Sequence, residues 1–162
     1  MASGDTRALG PGADVGTGLR VGLVRSRWNA EIVDRLADGA RRGLTGTGVL
    51  ESDIVEVSVP GSFEIPFAAR VLAGSGQVDA VVCVGMVLRG ETTHYELVAG
   101  ECAAGIQQVQ LTSGVPVGFG VLAVENEAQA LARSEGPEGH NVGEEAAWAA
   151  VEMTRLAATY AP

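Results

Sequence analysis

A cation, a glycine, a carboxylate, two hydroxyls and an imidazole occupy consecutive positions in Arg89-Gly90-Glu91-Thr92-Thr93-His94. The run separates an apolar segment, Val81 to Leu88, from an apparent helix that begins near Thr93. A glycine-containing turn entering a helix offers free backbone N–H groups and the positive end of a dipole, which suits phosphate. His94 stands beside that cradle, and an imidazole both donates and accepts protons near neutral pH. The chemistry these residue types support is proton transfer next to a bound anion. The plainer alternative is an ordinary strand-to-helix turn with a threonine cap and a structural histidine.

Such a turn needs a frame, and the surrounding pattern supplies one. VGLVRS after Arg20 reads as a first strand, and a helix capped by Asn29 and running to about Arg42 follows it, with Ile32, Val33, Leu36 and Ala40 on one side. Ile54 to Val59 is a second strand; Pro60-Gly61 turns the chain into a helix from Ser62 to about Ala73, with Pro66 tolerated in its first turn. The Val81 strand comes third, and a helix from about His94 to Thr112 comes after it. A fourth strand lies within Val115 to Val124, Asn126 caps a short helix through Arg133, and Glu144 to about Tyr160 forms the last helix after a glycine-rich loop.

Alternation of strands and helices with short connections predicts an α/β fold, a parallel sheet covered on both faces by helices. In such sheets ligands bind beyond the carboxyl ends of the strands. Three polar clusters occupy those ends here: Arg27-Trp28-Asn29, Gly61-Ser62-Phe63-Glu64, and Arg89 to His94.

The 162 residues fit one domain, expected over residues 19–160, behind a flexible tail at residues 1–18. A net charge of −9 argues against nucleic acid or an anionic membrane as partner. All 11 basic residues are arginine, so lysine Schiff-base chemistry and lysine-ending phosphate motifs are excluded. Cys83 and Cys102 have neither metal-ligand spacing nor a disulfide-rich setting, and they suit a reducing cytosol. There is no signal peptide pattern and no apolar run of the ~20 residues that span a bilayer, so the expectation is a cytoplasmic protein without a metal.

RWN after the first strand, VPGSFEIP after the second, VGMVLRGETTHYELV after the third, VPVGFGVLAVENEAQALAR around the fourth and EEAAWAAVEM in the last helix together resemble lumazine synthase. The resemblance runs in unbroken order from about Gly18 to Leu156. It implies a three-layer, flavodoxin-like sandwich with a four-stranded parallel sheet. It implies condensation of 5-amino-6-(D-ribitylamino)uracil with 3,4-dihydroxy-2-butanone 4-phosphate, with no metal or organic cofactor. Members of the family assemble as pentamers, in some cases twelve to a hollow icosahedral shell, with sites at subunit interfaces; association with riboflavin synthase is a further implied partner.

The same resemblance assigns roles. His94 matches the proton-transfer histidine, and Trp28 stands where an aromatic ring stacks on the pyrimidine. Ser62, Phe63 and Glu64 match the segment holding the ribityl chain and ring, and Met86, Val87 and Leu88 the strand end whose backbone reads the uracil edge. Glu91 and Thr92 match the phosphate turn. Phe119 and Arg133 match residues lent by the adjacent subunit, to the pyrimidine and the phosphate respectively. His140 matches no catalytic position. One departure stands out: where members commonly read NKG, with the lysine near the phosphate, this chain reads Asn141-Val142-Gly143, which suggests weaker phosphate binding. A catalytically weak homologue that binds lumazine or flavin, or builds a shell, is the competing expectation; a flavodoxin-like flavin carrier is a third, resting on fold alone.

Overall fold

The computed structural model describes residues 10–162. Four strands, β1 (Val21–Ser26), β2 (Ile54–Val59), β3 (Ala80–Leu88) and β4 (Val117–Val124), form one sheet in the order β2-β1-β3-β4. Every pairing is parallel, with Val21 opposite Ile54 and Ala80, and Val81 opposite Val117. The helices are α1 (Ala30–Gly46), α2 (Ile65–Gly74), α3 (His94–Ser113), α4 (Glu127–Leu131) and α5 (Val142–Thr159). The expected four-stranded α/β sandwich is therefore the fold.

Strand periodicity divides the core in two. On β3, Val82, Val84 and Met86 join the cluster under α1 and α5, while Val81, Cys83 and Val87 join the cluster under α2 and α3. Both faces of this strand are closed, and each fully buried valine or leucine contributes about 2 kcal/mol by leaving water. The result is a rigid central strand. Its carboxyl end, together with that of β1, lies where the strand order reverses, the usual place for a ligand crevice.

Local differences from the sequence expectation have local causes. α1 continues past Arg42 to Gly46 because Gly43 and Leu44 are buried; a methyl on Gly43 would stand 2.8 Å from the Glu144 carbonyl oxygen of α5. Asn29 does not cap α1 through its side chain: it takes the left-handed conformation, with φ 59° and ψ 47°, and makes the bend itself. α5 begins at Val142 rather than Glu144, since Asn141 is the cap and its Oδ1 accepts from Glu144 N at 3.2 Å. Ser62–Glu64 is a single 3₁₀ turn ahead of α2.

Of the segment expected to be a flexible tail, residues 1–9 lie outside the described residues. Residues 13–18 form turns seated on the body. Gly16 N donates to Thr47 O at 2.7 Å, and Arg155 on α5 donates to Val15 O at 2.6 Å and Thr17 O at 2.7 Å.

Candidate active site

Three strand ends converge to make one cleft of about 730 Å³, lined by Trp28, Asn29, Ser62, Phe63, Glu64, Met86, Val87, Leu88, His94, Leu97, Val98 and Glu101. Its construction begins at β1. Arg27 N donates to Val59 O at 2.9 Å, and Trp28 N to Pro60 O at 3.2 Å, so the segment after β1 is pinned to the end of β2. The Trp28 ring rests on Gly61, where a Cβ would stand 2.6 Å from ring carbons. Only glycine admits that approach. The ring is nonetheless 66% exposed, leaving a broad apolar face toward the cleft.

The next wall is the 3₁₀ turn. Glu64 Oε2 accepts from Gly61 N at 2.9 Å, closing the turn on itself, and the buried Ser62 hydroxyl donates to Met86 O at 3.2 Å. That bond ties the turn to β3. Met86 and Val87 are buried, so their contribution to the cleft is chiefly backbone, whereas Leu88 and Phe63 are exposed.

From Leu88 the chain crosses an exposed turn to His94, the first residue of α3. Thr92 Oγ1 accepts from His94 N at 3.3 Å, within this turn, and Glu91 lies beside it. Arg89 braces the turn. Its Nε donates to Glu125 at 2.9 Å, its Nη1 pairs with Glu96, and its guanidinium lies over the Tyr95 ring. Hydrogen bonding from Arg89 holds the Glu96 carboxyl below its ordinary range, while Glu96 and Glu125 raise that of Arg89.

Eight of the twelve residues singled out from the sequence thus line one cleft, while Glu91 and Thr92 are outside its lining, in the turn that leads into His94. Phe119 and Arg133 lie elsewhere in the same chain. Phe119 on β4 lines a separate hollow of about 360 Å³ with Val142 and Glu145. Arg133 follows α4, its Nη1 donating to Gln129 O at 3.0 Å, and its carbonyl accepts from Val142 N at 2.9 Å. His140 pairs with Glu145 at 3.4 Å.

Of the other lining residues, Asn29 belongs to the strand-end cluster named from the sequence, whereas sequence reasoning missed Leu97, Val98 and Glu101. These three had a signal, since they follow His94 at intervals of three, four and seven, one face of a helix.

Cys83 and Cys102 are both buried in the core beneath α2 and α3. Burial pushes the Cys102 thiol up to about 12 and Cys83 higher still, with Cys102 adding to the effect. Neither is a nucleophile at neutral pH. Among the described residues, no three His, Cys, Asp or Glu side chains gather as a metal site, and no helix is long and apolar enough to cross a membrane.

Known proteins are similar in sequence to this chain over most of its length. A family model for 6,7-dimethyl-8-ribityllumazine synthase matches residues 18–158. The 6,7-dimethyl-8-ribityllumazine synthase of Xanthomonas euvesicatoria pv. vesicatoria (strain 85-10) is 51% identical over 140 residues, covering 86% of this chain and 90% of the relative. The protein of the same name from Xanthomonas oryzae pv. oryzae (strain PXO99A) is 51% identical over 137 residues, with 85% and 88% covered.

Proposed function

The chain belongs to the 6,7-dimethyl-8-ribityllumazine synthase family, and on that premise we propose which of its atoms carry the reaction. It is a transferase of riboflavin biosynthesis. It condenses 5-amino-6-(D-ribitylamino)uracil with 3,4-dihydroxy-2-butanone 4-phosphate to give 6,7-dimethyl-8-ribityllumazine, phosphate and water. Family membership favours this enzyme role over a non-catalytic binding or shell role.

In our reading the pyrimidine stacks on Trp28 and is read by the backbone of Met86 to Leu88. Ser62, Phe63 and Glu64 hold the ribityl side. The butanone phosphate sits on the turn at Glu91 and Thr92, under the N-terminus of α3. His94 then moves protons during imine formation and phosphate loss. One observation carries the assignment: His94 stands at the junction of the phosphate turn and the cleft, within reach of both.

We also take the working unit to be a homo-oligomer, a pentamer or a shell of pentamers, with the site completed by Phe119 and Arg133 of a second copy. Two observations support this. Phe119 and Val142 share a hollow apart from the cleft, with the Arg133 backbone bonded to Val142. The phosphate turn, meanwhile, has its one cation committed to Glu96 and Glu125, with Glu91 adjacent. A dianion there needs positive charge from outside the turn. Association with riboflavin synthase rests on the resemblance alone. The two buried free thiols support a cytoplasmic setting, and residues 19–160 are taken as the catalytic domain.

The test is subunit mixing. His94→Ala and Arg133→Ala should each be nearly inactive alone, and refolding them together should restore activity through sites that take His94 from one copy and Arg133 from another. No restoration in mixed oligomers would refute the shared site.

A further inference from the structure

His94, Leu97, Val98 and Glu101 form the α3 face of the cleft. Seven residues at ~1.5 Å rise place Glu101 about 10 Å along the helix from His94. The two therefore serve opposite ends of the cleft and cannot act on each other directly. One turn further on, Gly105 packs on Pro66, where a Cβ would stand 2.7 Å from the proline ring. That contact sets the Glu101 end of α3 beside the start of α2, next to the turn that carries Ser62, Phe63 and Glu64.

Polar groups at this end differ in what remains available to a ligand. One Glu64 oxygen is bound to Gly61 N, and the Ser62 hydroxyl proton goes to Met86 O. Glu101 is exposed, and its carboxylate has no hydrogen bond or ion pair among the described residues. Its neighbours on the helix face, Leu97 and Val98, are apolar. A carboxylate accepts hydrogen bonds and donates none at neutral pH, so its complement is a donor-rich, uncharged group. An anionic group is repelled from it.

We propose that Glu101 is a further substrate-binding residue, accepting hydrogen bonds from the hydroxyl groups of the ribityl chain and setting specificity for a polyol-bearing pyrimidine. The inference rests on the placement of the pyrimidine substrate in this cleft. Stacking on Trp28 and reading by the β3 backbone leave the ring near the strand ends, and the polyol then has the α2 end to occupy. Glu101 also sorts the two substrates. Its charge opposes the phosphate at that end and favours the phosphate at the His94 end.

Steady-state kinetics on Glu101→Gln and Glu101→Ala would test this, with the natural pyrimidine and with one bearing a plain alkylamino group in place of the ribityl chain. Loss of charged hydrogen bonds should raise KM for the natural pyrimidine about ten-fold or more, while KM for the butanone phosphate does not rise. With the alkyl analogue, wild type and variants should behave alike. An equal loss with the analogue, or no loss with either pyrimidine, overturns the role of Glu101. Trp28→Ala run in parallel separates the layers. If it weakens pyrimidine binding and the Glu101 variants do not, the inference alone fails; if none does, the placement of the substrate fails with it.

Discussion

The guanidinium of Arg89 lies 4.2 Å from the centre of the Tyr95 ring while pairing with Glu96 and Glu125. One side chain thereby joins the end of β3, the first turn of α3 and the loop after β4, on both sides of the turn at residues 90–93. Lysine is a compact charge that cannot fork between two carboxylates and stack at once. Arg89→Lys should therefore raise KM for the butanone phosphate several-fold and leave KM for the pyrimidine nearly unchanged. The pH dependence has a definite sign. Because Glu96 is lowered in the fold, its contribution is present above the ordinary glutamate value and lost as pH falls through the lowered one. Thermal melts between about pH 3 and 5 should show Arg89→Lys losing that contribution at higher pH than wild type.

Removing the imidazole at the head of α3 should separate chemistry from binding. For His94→Ala the expectation is a fall in kcat of about 10²- to 10⁴-fold. Calorimetric titration with the ribitylaminouracil should give an affinity close to wild type, since the stacking and backbone contacts assigned to it lie elsewhere.

Beneath the cleft, Gly85 leaves no room for a side chain. A Cβ there would stand 2.8 Å from Ile65 Cδ1 and 2.9 Å from Ser62 Oγ. Gly85→Ala should cost about 1–3 kcal/mol in urea unfolding, and the displaced Ser62 turn should raise KM for the pyrimidine.

Val142 opens α5 and lines the hollow that holds Phe119. If that hollow completes a neighbour's phosphate site, Val142→Lys adds a cation where one is wanted. KM for the butanone phosphate should fall, by up to about ten-fold for a charge-assisted bond. An unchanged KM would mean that Arg133 and the α3 N-terminus already satisfy the phosphate.

The thiols provide a check on packing. Cys83 and Cys102, buried and raised far above neutrality, should resist an aromatic disulfide reagent at pH 8 in the native protein. Both should react on unfolding.

Much of this architecture was legible because it repeats simple patterns. The β3 run reads as a strand buried on both faces, and it is one. The polar clusters at Trp28, Ser62 and His94 were found because strand ends are where a parallel sheet binds ligands. What escaped notice depends on contacts between distant residues. Asn29 looks like a cap, but its left-handed bend answers to the pinning of Arg27 and Trp28 on β2. The length of α1 is decided by α5, over 100 residues away in sequence. Glu101 escaped for a different reason, since its spacing from His94 was visible but α3 reads as a packing helix rather than a wall.

The two tryptophans are unequally placed. Trp148 is half-buried, with Gly10 against its ring, whereas Trp28 holds most of its surface open to the cleft. Intrinsic fluorescence is therefore a signal dominated by the exposed indole that lines the cleft. Filling the cleft shields that indole and changes its emission while Trp148 supplies a steady background, so the protein reports its own occupancy without a label.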